Sequence, residues 1–242
     1  MAWPWFVVPS LPDVGASVAL PRDEAKHAFG AKRLGAGDGV VLFDGAGGVA
    51  DARLTGERTR DGSPLVTVDA RKAATWSGRR VHLASALPKG DRLATLVEMT
   101  AQLGVASLAP LRCERSVVGE TESRSDRMRR IQVEACKQAR WPFVPELHGE
   151  TSVDEVCRQR GVGGVREVPI LVAHPGGTSL AALARSLPDE VVVCIGPEGG
   201  FTDREVAALE AAGARTVSLA TSILRVETAA VVAVATLRAE PA

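Results

Sequence analysis

The stretch that most constrains the fold is residues 191–228, in which two strand-like runs alternate with two helix-like runs. Its first five residues are all apolar, which is typical of a strand buried on both faces. Three glycines follow in residues 196–200, and Thr202 with Glu205 then has the spacing of a helix-starting capping box. A second strand and an apolar helix complete the stretch. The alternation predicts an α/β fold with a parallel sheet, and it places both loops at the carboxyl ends of strands, where open α/β sheets bind ligands.

The glycine-rich loop GPEGG at residues 196–200 narrows the kind of ligand. It lacks the G-x-G-x-x-G spacing of a dinucleotide site and the Lys-Ser/Thr pair of a phosphate-binding loop. Glu198 would repel a phosphate held against these amides. The loop therefore suits a ligand without phosphates, such as S-adenosyl-L-methionine (SAM) with its sulfonium charge. By itself, however, such a loop is more often a tight turn between strand and helix.

Several short motifs follow one another in order between about residues 80 and 230. They are LPKG (87–90), QLGV (102–105), ERSV (114–117), QAR (138–140), VPE (144–146), IGPEGGFTDREV (195–206) and ILRVETA (223–229). Together they resemble the RsmE family of SPOUT-type RNA methyltransferases, which methylate N3 of one uridine in small-subunit (16S) ribosomal RNA. The resemblance implies SAM as cofactor, a homodimer, and a SPOUT-type parallel sheet whose C-terminal segment forms a deep trefoil knot.

Four positions depart from the family pattern. Ala220 and Ser222 stand where the family usually has Gly and Arg, and Met99 and Gln102 stand where it usually has Lys and Glu. The first two lie in a loop that the resemblance places around the cofactor. Two alternatives therefore stay open: a SPOUT methyltransferase acting on tRNA or another rRNA position, and a non-catalytic RNA-binding ribosome-assembly factor.

Composition excludes several other classes of protein. Among 242 residues, 29 Lys and Arg balance 29 Asp and Glu, so RNA binding would depend on local clusters of charge. The four cysteines are widely separated and form no C-x-x-C pair, which argues against a zinc site or disulfides and favours a reducing cytoplasm. No apolar run approaches the ~20 residues that a membrane span needs. We expect a cytoplasmic protein without metal or membrane contact.

The N-terminal region, residues 1–72, has short strand-like runs and turn signals at Asp44-Gly45 and Asp61-Gly62. The runs predict a small β-barrel with one short helix at residues 24–34, and the resemblance identifies it as a PUA-like RNA-binding domain. Predicted strands are residues 6–8, 39–43, 50–54 and 65–68. Residues 71–80 form the predicted linker, in which Trp76 would pack between domains or stack on a base.

Residues 73–242 are predicted to form the SPOUT methyltransferase domain. Strands are expected at residues 81–87, 105–110, 169–173, 191–195 and 216–220. Helices are expected at residues 91–103, 123–139 and 179–187, besides the two in the stretch 191–228. The glycine-containing segment 150–164 is interpreted as an irregular, flexible connection without chemistry.

The cofactor is expected on the backbone of three loops, and the reaction at the start of the last helix. Expected cofactor-binding residues are Ala173, His174, Ile195, Gly196, Glu198, Gly199, Gly200, Leu219, Ala220, Ile223 and Leu224. Arg225 would stabilise the uridine anion that develops as N3 loses its proton. Glu227 would be the general base, unless it is only a helix-start carboxylate favoured by the dipole. Thr228 would orient the base by hydrogen bonding.

RNA contacts are expected from basic residues in both regions. Residues 112–140 carry a net charge of +3, and Arg127, Arg130 and Lys137 lie at helical spacing on one face. That face could instead be merely solvated. The expected RNA-binding residues are Lys26, Arg33, Arg115, Arg127, Arg130 and Arg140. His27 and Lys32 would belong to the same basic edge as Lys26 and Arg33, which could instead be a solvated helix face.

Overall fold

The computed structural model describes residues 3–26, 34–117 and 121–239. The chain divides into two compact units. The first contains Met1–Trp76 together with Cys136–Val144, and the second contains Ser77–Ala135 and Pro145–Ala242. The predicted boundary at residue 72 falls within a strand of the first unit. The return of residues 136–144 to the first unit was not anticipated from the sequence.

The first unit is built on a five-stranded sheet. Its strands are β1 (Trp5–Val7), β2 (Ser17–Ala19), β3 (Gly39–Phe43), β4 (Gly48–Arg58) and β5 (Pro64–Ala73), in the order β1-β3-β4-β5-β2. Antiparallel pairing of β3 with β4 and of β4 with β5 confirms the two predicted hairpin turns. In the described residues this sheet is open, with β1 and β2 as its two edge strands. The sequence had predicted a closed barrel instead. The only helix described in this unit's N-terminal part is α1 (Arg22–Lys26), and residues 27–33 of the predicted helix lie outside the described residues.

The segment 136–144 contributes to the core of the first unit. Trp141 and Phe143 pack with Trp76, with ring centroids 5.0–5.3 Å apart. Trp76 therefore has a packing role within one unit. In the same segment, the Lys137 ammonium donates a hydrogen bond of 2.9 Å to the Glu24 carboxylate, and both side chains are only 7% exposed.

The second unit contains a sheet of seven parallel strands. Strand–helix alternation along the chain favours such a parallel sheet, with helices that cover both of its faces. Six strands follow the order β14-β12-β13-β6-β7-β8, and β9 pairs with the end of β7. The strands are β6 (Arg80–Ser85), β7 (Ser107–Arg112), β8 (Glu146–Leu147), β9 (Thr151–Ser152), β12 (Ile170–Ser179), β13 (Glu190–Ile195) and β14 (Arg215–Ser218). A short hairpin, β10 (Gly161–Val162) with β11 (Val165–Arg166), lies outside this sheet.

The helices confirm the predicted alternation with shifted ends. They are α2 (Asp91–Gln102), α3 (Glu122–Ala139), α4 (Val153–Gln159), α5 (Leu180–Ala184), α6 (Asp203–Ala211) and α7 (Val226–Arg238). The interpretation of residues 150–164 as an irregular connection was wrong. Ser152 and Glu155 form a complete capping box that begins α4, so the segment contains a regular helix.

Arg79 stabilises helix ends in the second unit. Arg79 donates to the carbonyls of Pro188, Ala184, Leu187 and Leu237, at distances of 2.7–3.1 Å. These include the last carbonyls of α5 and α7, which lack intrahelical partners. Arg79 therefore belongs to the folded second unit and not to a linker.

Within the described part of the chain, no helix is both long and apolar enough to cross a membrane.

Candidate active site

The three predicted cofactor loops leave three adjacent strands. β12 lies between β14 and β13, and it is parallel to both. Because the carboxyl ends of parallel strands share one edge, the loops after β12, β13 and β14 meet at that edge. The sequence predicted the loops, and the strand order brings them together.

The first loop is a bulge within β12. Ala173 and Thr178 are both opposite Val217 of β14, so His174 and the three residues after it leave the ladder. A Cβ on Gly177 would lie 2.6 Å from the backbone of Thr216 and Val217, so a glycine is required for this close approach. His174 uses Nδ1 to contact its neighbour's carbonyl oxygen at 2.8 Å.

The second loop follows Ile195, the buried last residue of β13. The Gly200 amide donates to the Pro197 carbonyl at 2.8 Å, and Gly200 has φ = 70°. Gly200, and not Gly199, is therefore the left-handed residue of this loop. Glu198 is exposed and pairs with Arg92 at 3.2 Å.

The predicted capping box at the start of α6 is confirmed. The Thr202 hydroxyl accepts from the Glu205 amide, and the Glu205 carboxylate accepts from the Thr202 amide at 2.8 Å. Glu205 is only 4% exposed, and its other carboxylate oxygen accepts from the Glu114 amide at 2.8 Å. The same carboxylate thus joins α6 to the segment after β7.

The third loop connects β14 to α7. Leu219 and Leu224 are half-buried, Ala220 is exposed, and the Ile223 side chain is 91% exposed. Arg225 is the N-cap residue of α7 but makes no side-chain capping bond. Its extended backbone ends the loop and directs the chain into the helix.

The three predicted catalytic residues have different surroundings. Arg225 and Thr228 are exposed, whereas Glu227 is only 8% exposed. One carboxylate oxygen of Glu227, Oε2, is buried and has no hydrogen-bond partner in the described structure. Within those same residues no ion pair joins Arg225 to Glu227. A buried acceptor without a partner is costly, which distinguishes Glu227 from an ordinary solvated helix-start carboxylate.

Two open cavities of the second unit lie away from the candidate site. One of about 470 Å³ is lined by residues of α3 and by Glu150, and another of about 430 Å³ is lined by residues near His148 and the β10–β11 hairpin. Loop residues of the candidate site are not among those that line either cavity. The position of the candidate site therefore depends on the strand ends and not on cavity size.

Comparison with known proteins decides the family. Residues 76–238 match the RNA methyltransferase domain model, and residues 20–62 match the RNA methyltransferase PUA domain model. The chain is 31% identical, over 93% of its length and 74% of the relative's, to ribosomal RNA small subunit methyltransferase E of Synechocystis sp.. It is 30% identical, over 94% of its length and 88% of the relative's, to the enzyme of the same name in Mycobacterium bovis.

The chain belongs to the ribosomal RNA small subunit methyltransferase E family. A solved member, from Neisseria gonorrhoeae and bound to S-adenosyl methionine, superposes with a TM-score of 0.85. The superposition covers 97% of this chain and 96% of that one, at 26% identity. The family resemblance drawn from the seven motifs is thereby confirmed, as is the presence of a PUA domain.

The basic residues predicted for RNA binding separate into three groups. Arg127, Arg130 and Arg140 are exposed, as RNA contact in this methyltransferase family would require. Lys137 is buried against Glu24, so its assignment to the basic face was wrong. The side chain of Lys26, and the whole of His27, Lys32 and Arg33, lie outside the described residues.

Arg115 makes a contact that sequence reasoning missed. Its Nη1 donates to the Gly199 carbonyl at 2.7 Å, which joins the ERSV motif to the glycine-rich loop. No local pattern could indicate this contact, because 84 residues separate the two. Arg140 also has an unexpected backbone, with φ = 53° at the end of α3, where glycine is the usual residue.

Proposed function

We propose that this protein transfers a methyl group from SAM to N3 of a specific uridine in small-subunit (16S) ribosomal RNA. One observation carries the proposal. Three loops from adjacent strands meet at one sheet edge, and Arg225, Glu227 and Thr228 follow the third loop directly. Family membership supports the reaction class, and the cofactor in the Neisseria gonorrhoeae relative supports SAM.

The residues of the loops fit a cofactor held mainly by backbone groups. Gly176 and Gly200 both have positive φ, and a Cβ added to either would meet nothing within 4 Å. A ligand can therefore approach the main chain of the first and second loops closely. The proposed contacts are Ala173, His174, Ile195, Gly196, Glu198, Gly199, Gly200, Leu219, Ala220, Ile223 and Leu224. When bound, SAM supplies an electrophilic methyl group.

The start of α7 would carry out the proton chemistry. Uridine N3 carries a proton that must leave as the methyl group arrives, and N3 lies on the Watson–Crick edge, so the base must be unpaired. The Arg225 guanidinium is exposed and would stabilise the negative charge that develops on the uracil carbonyl oxygens O2 and O4. The unpartnered Oε2 of Glu227 would accept the N3 proton. Thr228, exposed one residue later, would orient the base by hydrogen bonding.

The proposed enzyme is a cytoplasmic homodimer with a knotted C-terminal segment. β14 is the last strand, yet it pairs with β12 and not with its predecessor β13. The chain thus passes back across the sheet before α7, and this course supports the trefoil knot that SPOUT resemblance implies. Ile223 is 91% exposed in the single chain, and a partner subunit would cover it. Residues 1–72 would serve as the PUA-like RNA-binding domain.

Replacing Gly200 with valine is expected to weaken SAM binding by at least about 10-fold. A β-branched residue at φ = 70° costs roughly 1–2 kcal/mol, and its side chain would fill the open space beside the loop. Isothermal titration of the full-length protein with SAM measures the effect. Gly62→Val is the matched control, because Gly62 has φ = 86° and equally open surroundings in the first unit. Equal affinity in both variants and wild type would remove the second loop from the site.

Replacing Arg127 and Arg130 together with alanine is expected to weaken binding to small-subunit rRNA and to flatten its salt dependence. Each lost phosphate contact should reduce the slope of log K against log [salt] by about 0.7–0.9. Affinity for SAM should not change. The control is Arg158→Ala with Arg215→Ala, two exposed arginines outside α3. If the α3 variant keeps the wild-type slope, its basic face is only a solvated surface.

A further inference from the structure

The glycine-rich loop needs support from outside itself. Glu198, Gly199 and Gly200 are all exposed, so packing does little to fix their backbone. Glycines also lose more conformational freedom than other residues when they are ordered. Within the loop, the amide of Gly200 is held by the Pro197 carbonyl. The Gly199 carbonyl belongs to the same planar peptide, so a second hydrogen bond at its oxygen would hold that peptide from both sides.

That support comes from the segment Cys113–Ser116 after β7. β7 does not neighbour β13, because β6 lies between them. The Glu114 amide donates to the buried Glu205 carboxylate at 2.8 Å, and Arg204 Nε donates to the Glu114 carboxylate at 2.6 Å. Both bonds hold the start of α6. They fix where the loop ends but not the loop's tip.

Arg115 holds the tip. Its Nη1 lies 2.7 Å from the Gly199 carbonyl oxygen, and a Cβ added to Gly199 would lie 3.2 Å from Arg115 Cδ. The Gly199–Gly200 peptide is therefore fixed at its oxygen by Arg115 and at its N–H by the Pro197 carbonyl. A hydrogen bond from a charged donor is among the stronger ones in proteins. Without it, a peptide between two glycines could rotate at little steric cost.

We propose that Arg115 is a positioning residue for the methyltransferase reaction, which orients the Gly199–Gly200 peptide so that the loop is ordered before the cofactor binds. The proposal rests on the proposed function, since it takes SAM as the ligand of this loop. It also differs from the expectation that Arg115 contacts RNA. A guanidinium engaged by a loop carbonyl acts on cofactor affinity, whereas a phosphate contact would act on RNA affinity.

The test compares Arg115→Ala, Arg115→Lys and Arg112→Ala in the full-length protein. Arg112 is the matched control, since it is the exposed last residue of β7, just before this segment, and pairs with Glu150 at 3.3 Å. Arg115→Ala should raise the Kd for SAM and the KM for SAM about 10-fold, with kcat at saturating SAM nearly unchanged. Arg115→Lys should recover part of the affinity, because an ammonium can still donate to one carbonyl. Arg112→Ala should match wild type.

A second measurement does not depend on SAM. Hydrogen exchange of the ligand-free protein should show faster exchange at the Gly199 and Gly200 amides in Arg115→Ala, and not in Arg112→Ala. The proposal would be overturned if these amides exchanged at the wild-type rate in Arg115→Ala. It would also be overturned if wild type bound SAM and Arg115→Ala bound it with the same affinity. A wild-type protein that binds no SAM would instead overturn the proposed function, so the two failures are distinguishable.

Discussion

Replacing Arg225 with alanine is expected to slow single-turnover methylation by about 100- to 1,000-fold, equivalent to ~3–4 kcal/mol of transition-state stabilisation. Arg225 is exposed at the N-cap of α7 and makes no capping bond there. Its cation is therefore available to the uridine anion, which develops only as N3 loses its proton. An interaction made only in the transition state lowers the rate more than it lowers the binding of either substrate. The measurement is single-turnover transfer at saturating SAM and rRNA.

A structural role for Arg225 predicts a different result. If Arg225 instead joins α7 to a partner subunit, its loss would act through dimerisation, which sedimentation measures directly. Arg225→Lys should recover the rate only in part, because lysine lacks the planar fork. Arg215→Ala is the control, since Arg215 is exposed at the opposite end of β14. A dimeric Arg225→Ala protein that methylates at the wild-type rate would show that Arg225 is not catalytic.

The Ser/Thr-x-x-Glu spacing of a capping box correctly indicates the start of two helices in this chain. Thr202 and Glu205 predicted the start of α6, and the structure contains both reciprocal bonds. Ser152 and Glu155 have the same spacing and make the same bonds at the start of α4. That helix was missed because the glycines at residues 161–164 suggested a flexible segment. The capping pattern is local, and it was the more reliable of the two local signals here.

The arrangement of the loops depended on information that local patterns do not contain. Strand–helix alternation predicted a parallel sheet and placed each loop at a carboxyl end. It could not show that β12 lies between β14 and β13, because strand order is set by pairing between distant segments. The same limit applies to Arg115 and Gly199, whose contact defines the loop tip. The sequence therefore predicted which residues form the loops, but it could not predict which residues contact one another there.

The basic face of α3 shows where helical periodicity stops being informative. Arg127, Arg130 and Lys137 lie at helical spacing, and the first two are exposed as predicted. Lys137 instead belongs to the segment that joins the first unit, where Glu24 neutralises it. Periodicity indicates which residues share a face, but it cannot indicate that another part of the chain covers the end of that face.

The buried pair leads to a prediction about stability. Replacing Lys137 with methionine is expected to lower the free energy of unfolding of the first unit by about 3–5 kcal/mol, because it leaves the Glu24 carboxylate charged and buried. The two side chains are each 7% exposed and 2.9 Å apart. All four tryptophans, Trp3, Trp5, Trp76 and Trp141, belong to this unit. Urea titration followed by tryptophan fluorescence therefore measures its unfolding.

The double replacement of Glu24 and Lys137 by methionine separates the cost of removing one charge of the pair from the net contribution of the pair. Removing both charges together eliminates the desolvation penalty as well as the attraction, so the double variant should be close to wild type or more stable. Lys72→Met is the control, because Lys72 is exposed on β5 and should change stability by less than about 0.5 kcal/mol. A double variant that loses as much stability as Lys137→Met would mean that the loss comes from packing at Lys137 and not from removing its charge beside Glu24.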